Sequence, residues 1–209
     1  MNYREEILKL ENKENSGCSG ALVPGVIRKG KGQKIIVFGC NPGEAKYDLE
    51  GFFDKNFYIF DPDDQEASST RSQQAWTKKI SDILPTDSQI IQAEMVYWTS
   101  KDRKSLENII GKLDFENPYF DLSQKINADL IANNKDALII MLGFNHIDLF
   151  EKVFDLPELG KIINGQNNKR LLYKYKNNNK FFVVRHPSSR GLTNIDIEKI
   201  KTTLTNSIT

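Results

Sequence analysis

The chain has 209 residues, of which 39% are hydrophobic and 27% charged, as is typical of a globular domain with a core large enough to fold alone. Its formal net charge of +1 excludes a protein that is basic overall, so any surface that binds a polyanion must be a local patch. No apolar run approaches the ~18 residues of a membrane-spanning helix, and two cysteines are too few for a four-thiolate metal or iron–sulfur site. We therefore expect a cytoplasmic protein with reduced thiols.

The first third of the sequence predicts one helix, one buried strand and a long loop. The stretch REEILKLEN predicts a helix, whereas the Gly-rich stretch SGCSGALVPGVIRKGKGQ predicts irregular structure. The short β-branched run KIIVFG, which ends at Gly39, is typical of a strand buried on both faces. Residues 41–69 carry NPG and DPDD and predict one long loop, and a loop of this length in a compact domain is usually functional.

The remaining predicted elements alternate between helices and apolar strands. STRSQQAWTKKISDIL predicts a helix, AEMVYWTS a second strand, PYFDLSQKINADLIANN a helix and ALIIMLG a third strand. HIDLFEKVF predicts a short helix, and RLLYKYKNNNKFFVVRHP predicts a hairpin whose second arm is a fourth buried strand. The last segment, TNIDIEKIKTTLTNSI, predicts a closing helix capped by Thr193 or Asn194.

Strands that alternate with helices indicate a parallel sheet covered on both faces. We therefore expect an α/β fold over residues 1–209: a single-domain three-layer sandwich with a central, mostly parallel four-stranded sheet flanked by helices. In such sheets ligands bind beyond the carboxyl ends of the strands. The four strand ends carry GCNPGE, YWTS, GFNH and RHPSSRG, so these polar turns should meet at one edge.

Asn41 and His186 are the candidate chemical groups in two of these turns. An Asn before a Pro can simply cap an Asx turn, or its carbonyl oxygen can hold a water or a sugar hydroxyl while Pro42 and Gly43 allow a substrate to approach the backbone closely. A His before a Pro can be a structural turn residue, or a neutral imidazole that donates a hydrogen bond to a developing anion or acts as an acid or base. We expect His146 to open a helix rather than to line a site.

Other residues near these turns carry weaker signals. The two histidines lack metal-ligand spacing, so we expect no metal, and Cys40 is more typical of a packed residue than of a thiol nucleophile. The segment GFFDKNFYIF holds several aromatic residues without a helical or strand period. One of its rings could stack on a flat base, and we rank Phe53 before Phe52 and Phe57.

The ordered pair GCNPG and HPSSRG resembles the two motifs of the uracil-DNA glycosylase superfamily. GCNPG is similar to the Gly-Ile-Asn-Pro-Gly and Gly-Met-Asn-Pro-Gly motifs of the mismatch-specific and single-strand-selective branches, and HPSSRG is similar to a His-Pro-Ser-Pro motif. The resemblance implies a uracil-DNA glycosylase-like domain, a monofunctional enzyme of base excision repair that hydrolyses the N-glycosidic bond of uracil or a related damaged base. It also implies no cofactor, and damaged or uracil-containing DNA as the partner of a monomer.

The resemblance assigns roles by position. Asn41 would orient the attacking water at the sugar C1′, and His186 would stabilise the negative charge of the departing base. The loop after the second motif would enter the duplex, with Leu192 as a wedge and Arg190 on a phosphate. The residues that would surround the base are Gly39, Cys40, Phe52, Phe53, Phe57, Thr99 and Ser100, and those that would contact DNA are Pro42, Gly43, Ser188, Ser189, Arg190 and Leu192.

One departure from the family pattern keeps other functions open. In much of the family an Asn at the end of the second strand reads the uracil edge, whereas this chain has Thr99 and Ser100 there, whose hydroxyls cannot make the bidentate pair of an amide. The same fold could therefore be a catalytically weak or inactive module that binds nucleic acid or a protein. The low net charge is also compatible with hydrolysis of a free nucleoside.

Overall fold

The computed structural model describes residues 1–42, 58–60, 71–156, 159–176, 178–189 and 191–207. Within this part of the chain the helices are α1 Tyr3–Glu14, α2 Arg71–Ile83, α3 Arg103–Ile110, α4 Pro118–Ala132, α5 Ile147–Phe154 and α6 Asn194–Thr205. The strands are β1 Gly20–Leu22, β2 Gly25–Arg28, β3 Lys34–Gly39, β4 Tyr58–Phe60, β5 Gln89–Glu94, β6 Leu138–Leu142, β7 Leu159–Asn164, β8 Arg170–Tyr175 and β9 Phe181–Val184. A 3-10 helix, Gln166–Asn168, joins β7 to β8.

A seven-stranded sheet organises the described part of the chain, in the order β2-β5-β3-β6-β9-β8-β7. Its four central strands, β5, β3, β6 and β9, run parallel to one another. The outer strands β2, β8 and β7 are antiparallel to their neighbours, and β1 and β4 form a separate parallel pair. The expected α/β fold with a mostly parallel central sheet is confirmed, but the expected number of four strands is wrong.

The sheet has more strands than predicted because β2 on one side, and β8 and β7 on the other, extend the four parallel strands. β2 occupies part of the Gly-rich stretch that predicted irregular structure, and it gains its order by pairing with β5. β7 extends the predicted hairpin, which is present as β8 and β9. β4 interrupts the predicted loop 41–69, most of which lies outside the described residues.

Two apolar cores cover the two faces of the sheet. The larger core lies under α1, α3, α4 and α5, which contribute buried side chains such as Ile7, Leu106, Phe120 and Phe150. The smaller core lies under α2 and α6, which contribute the buried apolar side chains of Ile80, Ile83, Ile200 and Leu204. Alternate residues of a strand point to opposite faces, so Ile36 and Phe38 of β3 join the larger core while Ile35 and Val37 join the smaller one. No helix in the described part of the chain is long and apolar enough to cross a membrane.

Candidate functional site

Asn41 and His186 lie beyond the same edge of the sheet. Phe38 of β3 is opposite Met141 of β6, and Met141 is opposite Val183 of β9. Asn41 and His186 each follow these aligned residues by three positions. Because one strand separates β3 from β9, the two turns start about 10 Å apart, which is two inter-strand spacings.

The side-chain amide of Asn41 is held in one orientation. Its Nδ2 donates to the backbone oxygens of Pro42 and Ser100, at 3.0 and 3.2 Å, and to Ser100 Oγ at 3.1 Å. Backbone oxygens only accept hydrogen bonds, so the atom that faces them must be the nitrogen. The amide hydrogens are thus engaged with the protein, and the carbonyl oxygen Oδ1 is the acceptor left for a bound group.

Ser100 holds the side-chain amide of Asn41 in place through hydrogen bonds. Ser100 is fully buried, its Oγ donates to Asp102 O at 2.6 Å, and its backbone N–H donates to Pro42 O at 3.1 Å. Its hydroxyl proton is therefore used, and its oxygen accepts from Asn41. Thr99 is turned to another segment, because its Oγ1 donates to Gly20 O at 3.0 Å. The contact of these two residues with a base stays a prediction.

His186 is a neutral imidazole with a defined tautomer. Its Nδ1 accepts a hydrogen bond from the backbone N–H of Ser188 at 3.2 Å, so its proton resides on Nε2. Burial lowers the pKa of His186, and the positive charges of Lys79 and His146 lower it further. Ser189 closes the turn by donating its backbone N–H to His186 O at 2.9 Å. The ring can therefore donate from Nε2 at neutral pH.

The turn after β6 brings His146 close to the same edge. His146 precedes α5, as expected, and burial together with the charge of Arg103 lowers its pKa. Arg103 is itself held by two carboxylates, Glu107 at 3.1 Å and Asp148 at 2.9 Å. Gly143, which adopts φ +87°, lies against His186: a Cβ at Gly143 would be 3.6 Å from His186 Cβ. The β6 turn therefore lies directly beside His186.

Cys40 has the properties of a packed thiol. It packs against the larger core, and burial, with a contribution from Glu94, raises its pKa to about 12. A thiol with this pKa is protonated at neutral pH and is a poor nucleophile. This favours the packed interpretation of Cys40 over the nucleophilic one.

Glu94 is a candidate site residue that the sequence analysis missed. The second strand ends at Glu94 and not within YWTS, so the side chain at this strand end is a carboxylic acid. Glu94 pairs with Gly39 across the two strands, and it is only 4% exposed. The signal in the sequence was the alternation of Ile90, Gln92 and Glu94 on one face of a strand that is buried on both faces.

Several predicted contact residues lie outside the described residues: Gly43, Phe52, Phe53, Phe57 and Arg190. Of the others, Pro42 is buried and Ser189 is half-buried, whereas Ser188 is exposed. Leu192 is half-buried and packs against the smaller core, which limits how freely it can extend as a wedge. Within the described ranges, no group of three or more His, Cys, Asp or Glu side chains is arranged to hold a metal ion.

Comparison with known protein families and curated proteins assigns no family to this chain. No protein-family model matches the sequence. No curated protein compared with the chain matches it either.

Proposed function

We propose that the protein is a monofunctional DNA glycosylase that hydrolyses the N-glycosidic bond of uracil or a related damaged base. The observation that carries this proposal is the pairing of an oriented amide and a neutral imidazole beyond one edge of a parallel sheet. The resemblance of GCNPG and HPSSRG to the motifs of uracil-DNA glycosylases gives the two groups their roles. The reaction itself consumes only water, which the Asn41 turn can hold.

Asn41 suits the positioning of the attacking water. Since its Nδ2 is engaged with Ser100 and Pro42, its Oδ1 is available to accept a hydrogen bond from water. An amide is a weak base, but the transition state resembles an oxocarbenium ion and requires a well-placed water more than a strong base. The acceptor would hold the water on the face of the sugar opposite the departing base.

His186 suits the stabilisation of the leaving group. A pyrimidine such as uracil that departs without protonation carries negative charge on its ring nitrogen N1 and its exocyclic oxygens. The neutral His186, with its proton on Nε2, can donate a hydrogen bond to such an oxygen. The hydrogen bond from Ser188 to Nδ1 keeps the donor on the required side of the ring.

An assay of base release tests the proposal. A labelled oligonucleotide with one uracil, single-stranded or paired with adenine or guanine, is incubated with the protein and then with alkali to cleave abasic sites. We expect strand cleavage with the wild type, and a loss of about 100-fold or more in rate with His186→Ala or Asn41→Ala. The exposed Glu198→Gln on α6 is the control. DNA binding without base release, unaffected by Asn41→Ala, would instead support a binding module.

A further inference from the structure

Glu94 carries an unsatisfied polar atom at the carboxyl end of β5. Its side chain is 4% exposed, and within the described part of the structure Oε2 has no hydrogen-bond partner. Buried polar atoms without partners are uncommon in native proteins, because an unpaired group costs about 1–3 kcal/mol. An apolar residue would fill the same space without this cost. We therefore expect Glu94 Oε2 to have a hydrogen-bond partner that the described residues do not supply.

Gly39 allows the Glu94 carboxyl to lie at this strand end, close to the proposed site. A Cβ at Gly39 would be only 2.1 Å from Glu94 Oε2, so the carboxyl lies directly over the Gly39 backbone. Gly39 remains partly exposed although it lies at the end of a strand with neighbours on both sides. Any other residue at this position would displace the carboxyl. Gly39 is also two residues from Asn41, which places Glu94 beside the proposed catalytic turn.

The neighbouring Gln92 determines which oxygen of Glu94 carries a proton. Gln92 Nε2 donates to Glu94 Oε1 at 3.4 Å, so Oε1 is an acceptor. Burial raises the pKa of Glu94 to about 8, and the hydrogen bond from Gln92 opposes this only in part. At neutral pH the group is therefore a carboxylic acid with its hydrogen on Oε2. The unsatisfied atom is a hydrogen-bond donor, and it requires an acceptor oxygen or nitrogen.

We propose that Glu94 is a specificity residue, which donates a hydrogen bond from Oε2 to a carbonyl oxygen of the bound heterocycle. The inference rests on the proposed glycosylase function and names the group that recognises the base. It makes Gln92 a positioning residue, because Gln92 fixes the acceptor oxygen and leaves the donor directed at the ligand. Bases that lack a carbonyl on the recognised edge would leave Oε2 unsatisfied and would be poor ligands.

Two substrates that differ in the 4-oxo group, and in the N3–H that accompanies it, test this inference. One oligonucleotide carries deoxyuridine, and the other carries the deoxyriboside of pyrimidin-2-one, which has hydrogen where uracil has its 4-oxo group. We expect Glu94→Leu to slow uracil release by about 10- to 100-fold and to slow pyrimidin-2-one release much less. Glu94→Gln, which keeps a donor, should retain most of the preference for uracil. Gly39→Ala, which displaces the carboxyl, should behave as Glu94→Leu does.

A binding measurement separates failure of this inference from failure of the proposed function. The side-chain carboxyl ¹³C signal of Glu94, assigned by its loss in Glu94→Gln, is followed while free uracil or free pyrimidin-2-one is added. A shift with uracil alone supports the inference even if the wild type releases no base from DNA. Equal slowing of both substrates by Glu94→Leu, or a Glu94 signal that uracil does not shift, would overturn it.

Discussion

At the scale of single residues, Asn41 depends on a partner that no motif contains. Ser100 is fully buried and follows β5 by six residues, yet its hydroxyl and backbone oxygen both accept from the Asn41 amide. The Ser100 hydroxyl is fixed in turn by donating to Asp102 O. An amide that is held by several acceptors keeps its orientation when water and a ligand enter, which is how preorganised groups assist a reaction.

We predict that Ser100→Ala impairs catalysis more than folding. The variant removes one acceptor from Asn41 but leaves the two backbone acceptors, so we expect base release to slow by about 10-fold and unfolding free energy to fall by about 1 kcal/mol. Single-turnover rates and urea denaturation measure the two effects. Ser88→Ala is a matched control: Ser88 is also a buried serine, but it precedes β5 at the opposite end, and within the described residues its hydroxyl has no partner. Equal rates for Ser100→Ala and Ser88→Ala would contradict the account.

Glu94 also predicts how stability depends on pH. Burial raises the pKa of Glu94 from 4.5 to about 8 in the folded protein, so between these values the folded chain retains a proton that the unfolded chain releases. The contribution of this group to stability is therefore complete below pH 4.5 and decreases as pH rises toward 8.

The comparison with Glu94→Gln isolates this effect. The unfolding free energy of the wild type relative to Glu94→Gln should decrease by about 1.4 kcal/mol per pH unit between about pH 5.5 and 7.5. Urea denaturation at several pH values provides the measurement, with the exposed Glu198→Gln as the control. A difference that stays constant over this range would show that Glu94 does not titrate as described.

The positions of Asn41 and His186 after strands could be predicted from the sequence, whereas their chemical roles stay predictions. Asn-Pro-Gly and His-Pro after apolar strands are distinctive, so Asn41 and His186 could be located at the ends of β3 and β9. Glu94 was missed because a single Glu in a sequence has the appearance of a surface residue, and its alternation with Ile90 and Gln92 is informative only once the strand is known to be buried on both faces. Its burial comes from β3 and β5 packing side by side, with a glycine opposite.

At the scale of elements, helix ends were better predicted than strand ends. Thr193 caps α6 in a capping box with Asp196, in agreement with one of the two expected caps. The end of β5 was placed too late because Met95, Val96, Tyr97 and Trp98 are apolar and fully buried. Continued hydrophobicity cannot mark the point where a strand stops pairing, since a buried irregular segment has the same composition. α3 was missed although Asp102 caps it by accepting from Ser105 N–H at 2.8 Å.

The capping box of α6 predicts a measurable contribution to stability. Thr193 Oγ1 accepts from the backbone N–H of Asp196, and α6 buries Ile200 and Leu204 in the smaller core. We expect Thr193→Ala to lower the unfolding free energy by about 1 kcal/mol and Thr193→Ser to lower it much less. Urea denaturation distinguishes them, and equal losses in the two variants would argue against a capping role for the hydroxyl.

At the scale of the whole molecule, the formal net charge is only +1, but three cations lie near the His186 turn. Lys169 Nζ donates to Gly191 O, Arg185 Nη1 to Arg170 O, and Arg170 Nη1 to the Tyr173 hydroxyl. These acceptors are neutral, so the hydrogen bonds do not compensate the three positive charges. Such a group could contact phosphates of a nucleic acid next to the proposed site.

The salt dependence of DNA binding tests this surface. Replacing Lys169, Arg170 and Arg185 by Gln should weaken DNA binding. The slope of log affinity against log salt concentration should become less steep by about 0.9 for each phosphate that the variant no longer neutralises. A control with the same change in charge replaces Lys9, Lys13 and Lys112, which belong to α1 and the α3–α4 connection. If the two triple variants show the same salt dependence, these cations do not bind phosphates.

The central claim is that one nucleotide sits between Asn41 and His186. It is tested most directly by a crystal structure with an oligonucleotide that carries 2′-fluoro-2′-deoxyuridine, whose glycosidic bond resists hydrolysis. We predict a flipped nucleotide with a base oxygen about 3 Å from His186 Nε2, and a water about 3 Å from Asn41 Oδ1 that faces C1′. A nucleotide bound elsewhere, or a base with neither residue within hydrogen-bond distance of its sugar or ring, would contradict the account.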